Sequence, residues 1–191
     1  IILYALMLMS ETFDIKIENI VAFVTLGVKV PLNRLLDKVD AEYGPEQFPG
    51  LVYRTDDPKS ASLIFSNGKV VCTGTRSMDD AKKALITVVK KIKSVGIPVP
   101  STFDIHIDDI VASTKLETDL KLDELKFSME DTEYDPEKFP GLIHKLSEPN
   151  ATFLIFSSGR IVCTGTHNIK DVKTALIKLK KNLRSVGIKL R

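Results

Sequence analysis

The residues best able to do chemistry in this chain come in matched sets. Phe48 and Phe65 stand in one stretch, Phe139 and Phe156 at the same spacing in another. Arg54 and Lys69 lie among the first pair, Lys145 and Arg160 at the matching places of the second, and Thr73 and Thr164 close the two stretches. Such a set suits a stacked polyanion. Cations neutralise phosphates, hydroxyl and amide groups such as those of Thr73, Thr164 and Asn19 bond to base edges, and phenylalanine can enter between base steps. Enzyme chemistry finds no comparable set. His106, His144 and His167 lack the spacing of metal ligands and read as surface or strand residues. Asp56-Asp57 and Asp79-Asp80 fall in a turn and at a helix start. No phosphate-cradling glycine loop or nucleophile motif occurs, so the expectation is a protein without catalysis, metal or cofactor.

The matched sets belong to a tandem duplication. Residues 47–74 read QFPGLVYRTDDPKSASLIFSNGKVVCTG and residues 138–165 read KFPGLIHKLSEPNATFLIFSSGRIVCTG, identical at 14 of 28 positions. Phe13-Asp14-Ile15 matches Phe103-Asp104-Ile105, and Ser94 to Ile97 matches Ser185 to Ile188. A repeat of about 90 residues is far longer than the 20–50 of a solenoid, so each copy is half of one pseudo-symmetric body. The expected division is an N-terminal extension over 1–12, a first repeat over 13–97, a linker over 98–102 and a second repeat over 103–191. Pro98 and Pro100 stiffen the linker. Met9-Ser10 is the expected natural start, with residues 1–8 outside the fold. IILYALMLM at the N-terminus is too short to span a bilayer and lacks the flanks of a signal peptide.

Composition excludes little. A net charge of +2 is too small to mark a nucleic-acid binder by itself, so that case rests on where the cations stand. Cys72 and Cys163 occupy equivalent places in apolar runs, where a free cysteine behaves as a small buried hydrophobe. Two isolated cysteines make neither a disulfide framework nor a zinc site, and they suit a reducing compartment.

The elements that must position these residues follow from periodicity. FDIKIENIVAFVTL alternates as a strand, and PLNRLLDKV predicts a short helix with Pro31 in its first turn. FPGLVYRTDD, SASLIFSNG and KVVCTGT predict three strands, the last two joined through a hairpin at Asn67-Gly68. Ala81, Ala84, Leu85, Val88, Ile92 and Val95 recur at helical spacing between an N-cap at Ser77 and a stop at Gly96. The second copy repeats the plan with Asn168 as cap. The pattern is α+β.

Both faces of the strands are apolar. Ile64, Val70 and Cys72 point one way and Leu63, Phe65, Val71 and Thr73 the other. One long helix per repeat covers one face. The second face must meet a partner or a second layer of core, such as a dimer, and pattern alone leaves both open. The surrounding cations favour a nucleic-acid minor groove, whose A·T pairs offer only acceptors.

FDIKIENIVA, EQFPGLVYR and LIFSNGKVVCTG, with their second-repeat partners, resemble the TATA-box-binding protein family in its archaeal form over residues 13–190. The FPGL and LIF-S-x-G-K-x-V-x-T-G motifs carry the resemblance, with Arg160 at the lysine of the second copy. It implies a saddle: one curved antiparallel sheet with helices on its convex face and DNA on its concave face. It further implies that Phe48 and Phe65, with Phe139 and Phe156, intercalate at the two ends of the site. Val21, Leu63 and Val71, with Val111, Leu154 and Val162, would be groove contacts. Thr73 and Thr164 would be central hydrogen-bonding residues, Asn19 one of two central asparagines, and Arg54, Lys69, Lys145 and Arg160 phosphate contacts. The region of Glu137 resembles the family's docking site for a transcription factor B-type partner. Two positions depart from the family pattern. Asp109 replaces the second central asparagine, and Lys138 stands where a neutral residue is usual. The implied function is a general transcription initiation factor that binds and bends promoter TATA-box DNA and recruits a B-type factor and RNA polymerase. It would act in the archaeal cytoplasm at the nucleoid, or in the nucleus of a eukaryote. The alternatives are a divergent paralogue working mainly through protein partners, and an accessory substrate-binding domain of a nucleic-acid enzyme.

Overall fold

Alternation of buried and part-exposed residues runs through nearly every long strand, and it fixes which face each side chain serves. In β1 (Lys16–Thr25) Ile20, Ala22 and Val24 are fully buried while Asn19, Val21 and Phe23 between them are not. The structure is a computed structural model that describes residues 14–190. The expected extension over 1–12, the proposed start at Met9-Ser10, Phe13 and Arg191 lie outside the described residues.

β1 is followed by α1 (Leu32–Leu36), β2 (Leu51–Asp56), β3 (Lys59–Ile64), β4 (Lys69–Thr75) and α2 (Met78–Ser94). The second copy gives β5 (His106–Lys115), α3 (Leu122–Ser128), β6 (Thr132–Glu133), β7 (Leu142–Ser147), β8 (Asn150–Ile155), β9 (Arg160–Thr166) and α4 (Ile169–Ser185). The extra strand β6 corresponds to a single bridge, Glu42 to Val52, in the first copy. Pro31 precedes α1 as its N-cap, in extended backbone, rather than standing inside the first turn. The fold is α+β with antiparallel pairing throughout, as the sequence predicts.

The chain packs as two compact units, residues 19–109 and residues 14–18 with 110–190. In the first the strand order is β2-β3-β4-β1, and in the second β5-β9-β8-β7-β6. In each, the long helix lies on one sheet face. α2 packs on β4 and β3, α4 on β9 and β8. Ala81 and Ala84 let α2 approach closely, and Leu85, Val88 and Ile92 fill the space against Ile64, Val70 and Cys72. Ser77 Oγ accepts from the Asp80 N–H at 3.1 Å, and Asn168 Oδ1 from the Asp171 N–H at 2.8 Å, so both predicted caps are made. Cys72 and Cys163 are free and buried, and burial raises the Cys72 thiol pKa above its ordinary value.

The hairpin at Asn67-Gly68 forms with a three-residue loop. Phe65 N–H donates to Lys69 O at 2.9 Å and Gly68 N–H to Phe65 O at 3.0 Å. Asn67 Oδ1 accepts from Lys69 N–H at 3.0 Å, which ties the turn to the residue that begins β4.

Candidate nucleic-acid interface

The face of each sheet that carries no long helix is the candidate interface, and two local devices shape it. The first is a bulge. Ile20 pairs with Thr75 and Ala22 with Cys72, so Thr73 and Gly74 of β4 together oppose Val21 alone. Gly74 takes φ +98°, a left-handed value open to glycine at little cost. β9 repeats this: Ile110 pairs with Thr166 and Ala112 with Cys163, Thr164 and Gly165 oppose Val111, and Gly165 has φ +88°. The bulge interrupts the ladder and frees a backbone donor. In the first copy Asn19 takes it up: Gly74 N–H donates to Asn19 Oδ1 at 2.8 Å, and Asn19 Nδ2 donates to Thr73 Oγ1 at 2.9 Å.

The second device explains the FPGL motif. Phe48 and Phe65 meet edge to face, with centroids 5.8 Å apart and planes at 66°. Phe139 and Phe156 meet at 5.9 Å and 67°. Both geometries are favourable for aromatic pairs. A Cβ on Gly50 would come within 2.6 Å of Phe48 Cε1 and 3.1 Å of Phe65 Cε1, and on Gly141 within 2.7 Å of Phe139 Cε1 and 3.1 Å of Phe156 Cε1. The glycine is therefore the floor on which the pair rests, and Leu51 or Leu142 after it is the first fully buried residue of its strand. Phe48 is 39% exposed, a large apolar group held at the surface by its own packing.

Between bulge and aromatics the open face is apolar and part-exposed: Val21, Leu63 and Val71 in one unit, Val111, Leu154 and Val162 in the other. Cations stand beside it. Arg54 Nε lies 3.9 Å from Glu42, Lys145 Nζ 3.9 Å from Glu133, and an Arg160 terminal nitrogen 3.9 Å from Glu18. Lys69 Nζ sits 4.6 Å above the Phe23 ring. Ion pairs this long, each with at least one exposed partner, contribute at most about 1 kcal/mol, so a phosphate can displace the carboxylate. Glu42, Glu133 and Glu18 are partners that sequence reasoning missed. Glu42 and Glu133 occupy matching repeat positions, which was the available signal. Phe23 was missed too. It shares the face of Val21 and stacks on His106 at 5.2 Å, where the second copy has Ser113 bonded to Glu18 at 2.7 Å.

Glu137 and Lys138 are exposed in the turn before Phe139, where Lys138 Nζ pairs with Asp135 at 3.2 Å and Glu137 N–H donates to Asp135 Oδ1 at 3.2 Å. His144 is buried in β7, its Nδ1 3.1 Å from Glu130 O, and burial lowers its pKa below the ordinary value. Among the described residues, no cluster of His, Cys, Asp and Glu could hold a metal ion, and no helix is long and apolar enough to cross a membrane. Chemically, the first unit offers an apolar strip with hydrogen-bond donors at one end, an aromatic wedge at the other and cations alongside. The second repeat has the same strip, aromatic pair and cations, with Asp109 at the place of Asn19 and Ser113 at the place of Phe23.

Known proteins resemble this chain over most of its length. The family model described as transcription factor TFIID (or TATA-binding protein, TBP) matches residues 14–95 and again 104–186. The TATA-box-binding protein of Thermoplasma volcanium is 44% identical over 183 residues, covering 94% of this chain and 100% of the relative. That of Archaeoglobus fulgidus is 42% identical over 181 residues, covering 93% and 99%. The solved structure of Methanococcus jannaschii TBP superposes with a TM-score of 0.81 at 41% identity, covering 90% of this chain and 98% of that one.

Proposed function

The chain belongs to the TATA-box-binding protein family, and from that premise we propose that it is a general transcription initiation factor that binds promoter TATA-box DNA through the minor groove. Each repeat serves one half of the site. The observation that carries the reading is the aromatic pair seated on a glycine, made twice with nearly the same geometry.

On binding, the apolar strips of Val21, Leu63 and Val71 and of Val111, Leu154 and Val162 replace groove water. Donors from Asn19, Thr73 and Thr164 meet the acceptors of A·T pairs. Phe48 with Phe65, and Phe139 with Phe156, enter between base steps at the two ends, unstacking them and bending the duplex. Arg54, Lys69, Lys145 and Arg160 exchange their internal partners for phosphates, which releases counterions and makes affinity fall with salt. The bent complex then presents Glu137, with Lys138 beside it, to a transcription factor B-type protein, and RNA polymerase follows. No step requires catalysis or a cofactor.

A gel-shift assay on an A·T-rich TATA duplex, with and without a B-type factor, tests this. The expected result is a shifted complex that the B-type factor shifts further, and that Glu137→Lys leaves binary but not ternary. Binding of the B-type factor without any DNA complex would instead favour a chain acting through protein partners.

A further inference from the structure

Of the differences between the two repeats on the open face, the one at Asn19 and Asp109 is chemical rather than steric. In the first repeat a backbone N–H points at Asn19, since Gly74 N–H donates to Oδ1 at 2.8 Å. That contact fixes the amide orientation, because only the oxygen can accept. Asn19 Nδ2 therefore faces Thr73, donates to its Oγ1 at 2.9 Å, and keeps its second hydrogen. Thr73 Oγ1, having accepted, keeps its own hydroxyl hydrogen as well. Part-exposed Asn19 and Thr73 thus present two donors from the open face.

Asp109 holds the equivalent place. It precedes Ile110 as Asn19 precedes Ile20, and Ile110 pairs with Thr166 as Ile20 pairs with Thr75, with the same irregularity following in both strands. It is part-exposed like Asn19. A carboxylate has no hydrogen to give, and its two oxygens are acceptors only. Adenine N3 and thymine O2 are acceptors too, so an A·T pair set against Asp109 brings acceptor to acceptor. The sole donor in the minor groove is the N2 amino group of guanine.

Resting on the proposed minor-groove reading, we infer that Asp109 makes the two half-sites chemically unequal: the half set against Asn19 requires A·T pairs, and the half set against Asp109 prefers a base pair carrying a minor-groove amino group near the centre. The ligand class is a duplex whose A·T-rich core is broken on one side by a guanine-like N2 donor. The same residue sets which way round the protein lies, because only one orientation places that donor at Asp109.

The test replaces one central adenine at a time by 2,6-diaminopurine, which still pairs with thymine but adds the amino group. Affinities of the full chain and of Asp109→Asn are measured on each duplex. The ratio between modified and unmodified duplex is read within each protein, so a general loss of affinity cancels. The wild type is expected to favour diaminopurine over adenine at a central position of one half only, with a ratio about tenfold above that of Asp109→Asn. Asn19→Asp extends the preference to the other half. Tight binding with adenine favoured equally by wild type and Asp109→Asn would overturn this inference alone. Failure to bind any duplex, or binding indifferent to every groove substitution, would overturn the proposed function with it.

Discussion

The two repeats agree closely at the aromatic pairs and their seats and differ at a few separate positions of the sheet. The aromatic pairs match to within 0.1 Å in separation (5.8 and 5.9 Å) and 1° in angle (66° and 67°). The glycine floors, the bulges and the helix caps are copied as well. Asn19 corresponds to Asp109 and Phe23 to Ser113, and the cross-strand pair Tyr53–Ser62 becomes His144–Phe153. Wedges and floors act by shape, and shape tolerates no drift, since a misfit in a close-packed contact is felt at once. Polar positions act by matching donors to acceptors, so each can be retuned singly. On the proposed function, the duplication would supply the same grip twice and the polar substitutions would make it directional.

The largest expected effect tests the symmetry of the core. Leu85→Ala in α2 and Leu176→Ala in α4 remove equivalent buried side chains, and each should lower stability by about 2–5 kcal/mol, seen as a fall in chemical-denaturation midpoint. A loss confined to one variant would show that the repeats do not share their packing. Next comes the grip. Removing one aromatic pair, as Phe48→Ala with Phe65→Ala or Phe139→Ala with Phe156→Ala, should cost ~2 kcal/mol or more of DNA affinity, roughly thirtyfold, and equally for the two pairs. Gly50→Ala and Gly141→Ala should reproduce part of that loss, about 1 kcal/mol, by pushing the rings off their seats. Titration of binding against salt separates them from charge variants. Lys145→Ala should reduce the log-log slope by about 1, while the glycine variants leave it unchanged.

The smallest effect breaks the symmetry through pH. Burial depresses the folded-state pKa of His144, against weaker opposing contributions from Glu130 and Asp131. Its neutral form therefore favours the fold above the unfolded value of about 6.5, and that contribution is lost as pH falls through the lower folded value. Acidification below about 6.5 should lower the melting temperature of the wild type more than that of His144→Tyr, which copies Tyr53 of the first repeat. Equal acid sensitivity in the two proteins would remove His144 from the account.

Much of this was legible in the sequence because the chain states its plan twice. Internal matching placed Phe48 against Phe139 and Thr73 against Thr164, and period-two alternation separated Leu63, Phe65 and Val71 from Ile64 and Val70. Ser77 and Asn168 were readable as caps because a short polar side chain before an apolar-periodic run has few other uses. Relations between residues distant in the chain were not legible. That Gly50 is the seat of Phe48 depends on how the loop folds back, and FPGL as a string says only that a turn is near. Asn19 bonding to Gly74 depends on a bulge, and a bulge leaves no mark beyond a glycine that could equally end a strand. The pairing of Arg54 with Glu42 needed the bridge between Glu42 and Val52, a contact no periodicity encodes.

The central claim is that two matched aromatic pairs bend one duplex, and end-to-end energy transfer across a fluorophore-labelled A·T-rich duplex measures it directly. The wild type should shorten the end-to-end distance on binding. Loss of either aromatic pair should give a smaller shortening, the same for both, and loss of both pairs should leave a bound or weakly bound duplex straight. Binding without shortening by the wild type, or undiminished shortening with all four phenylalanines replaced, would contradict it.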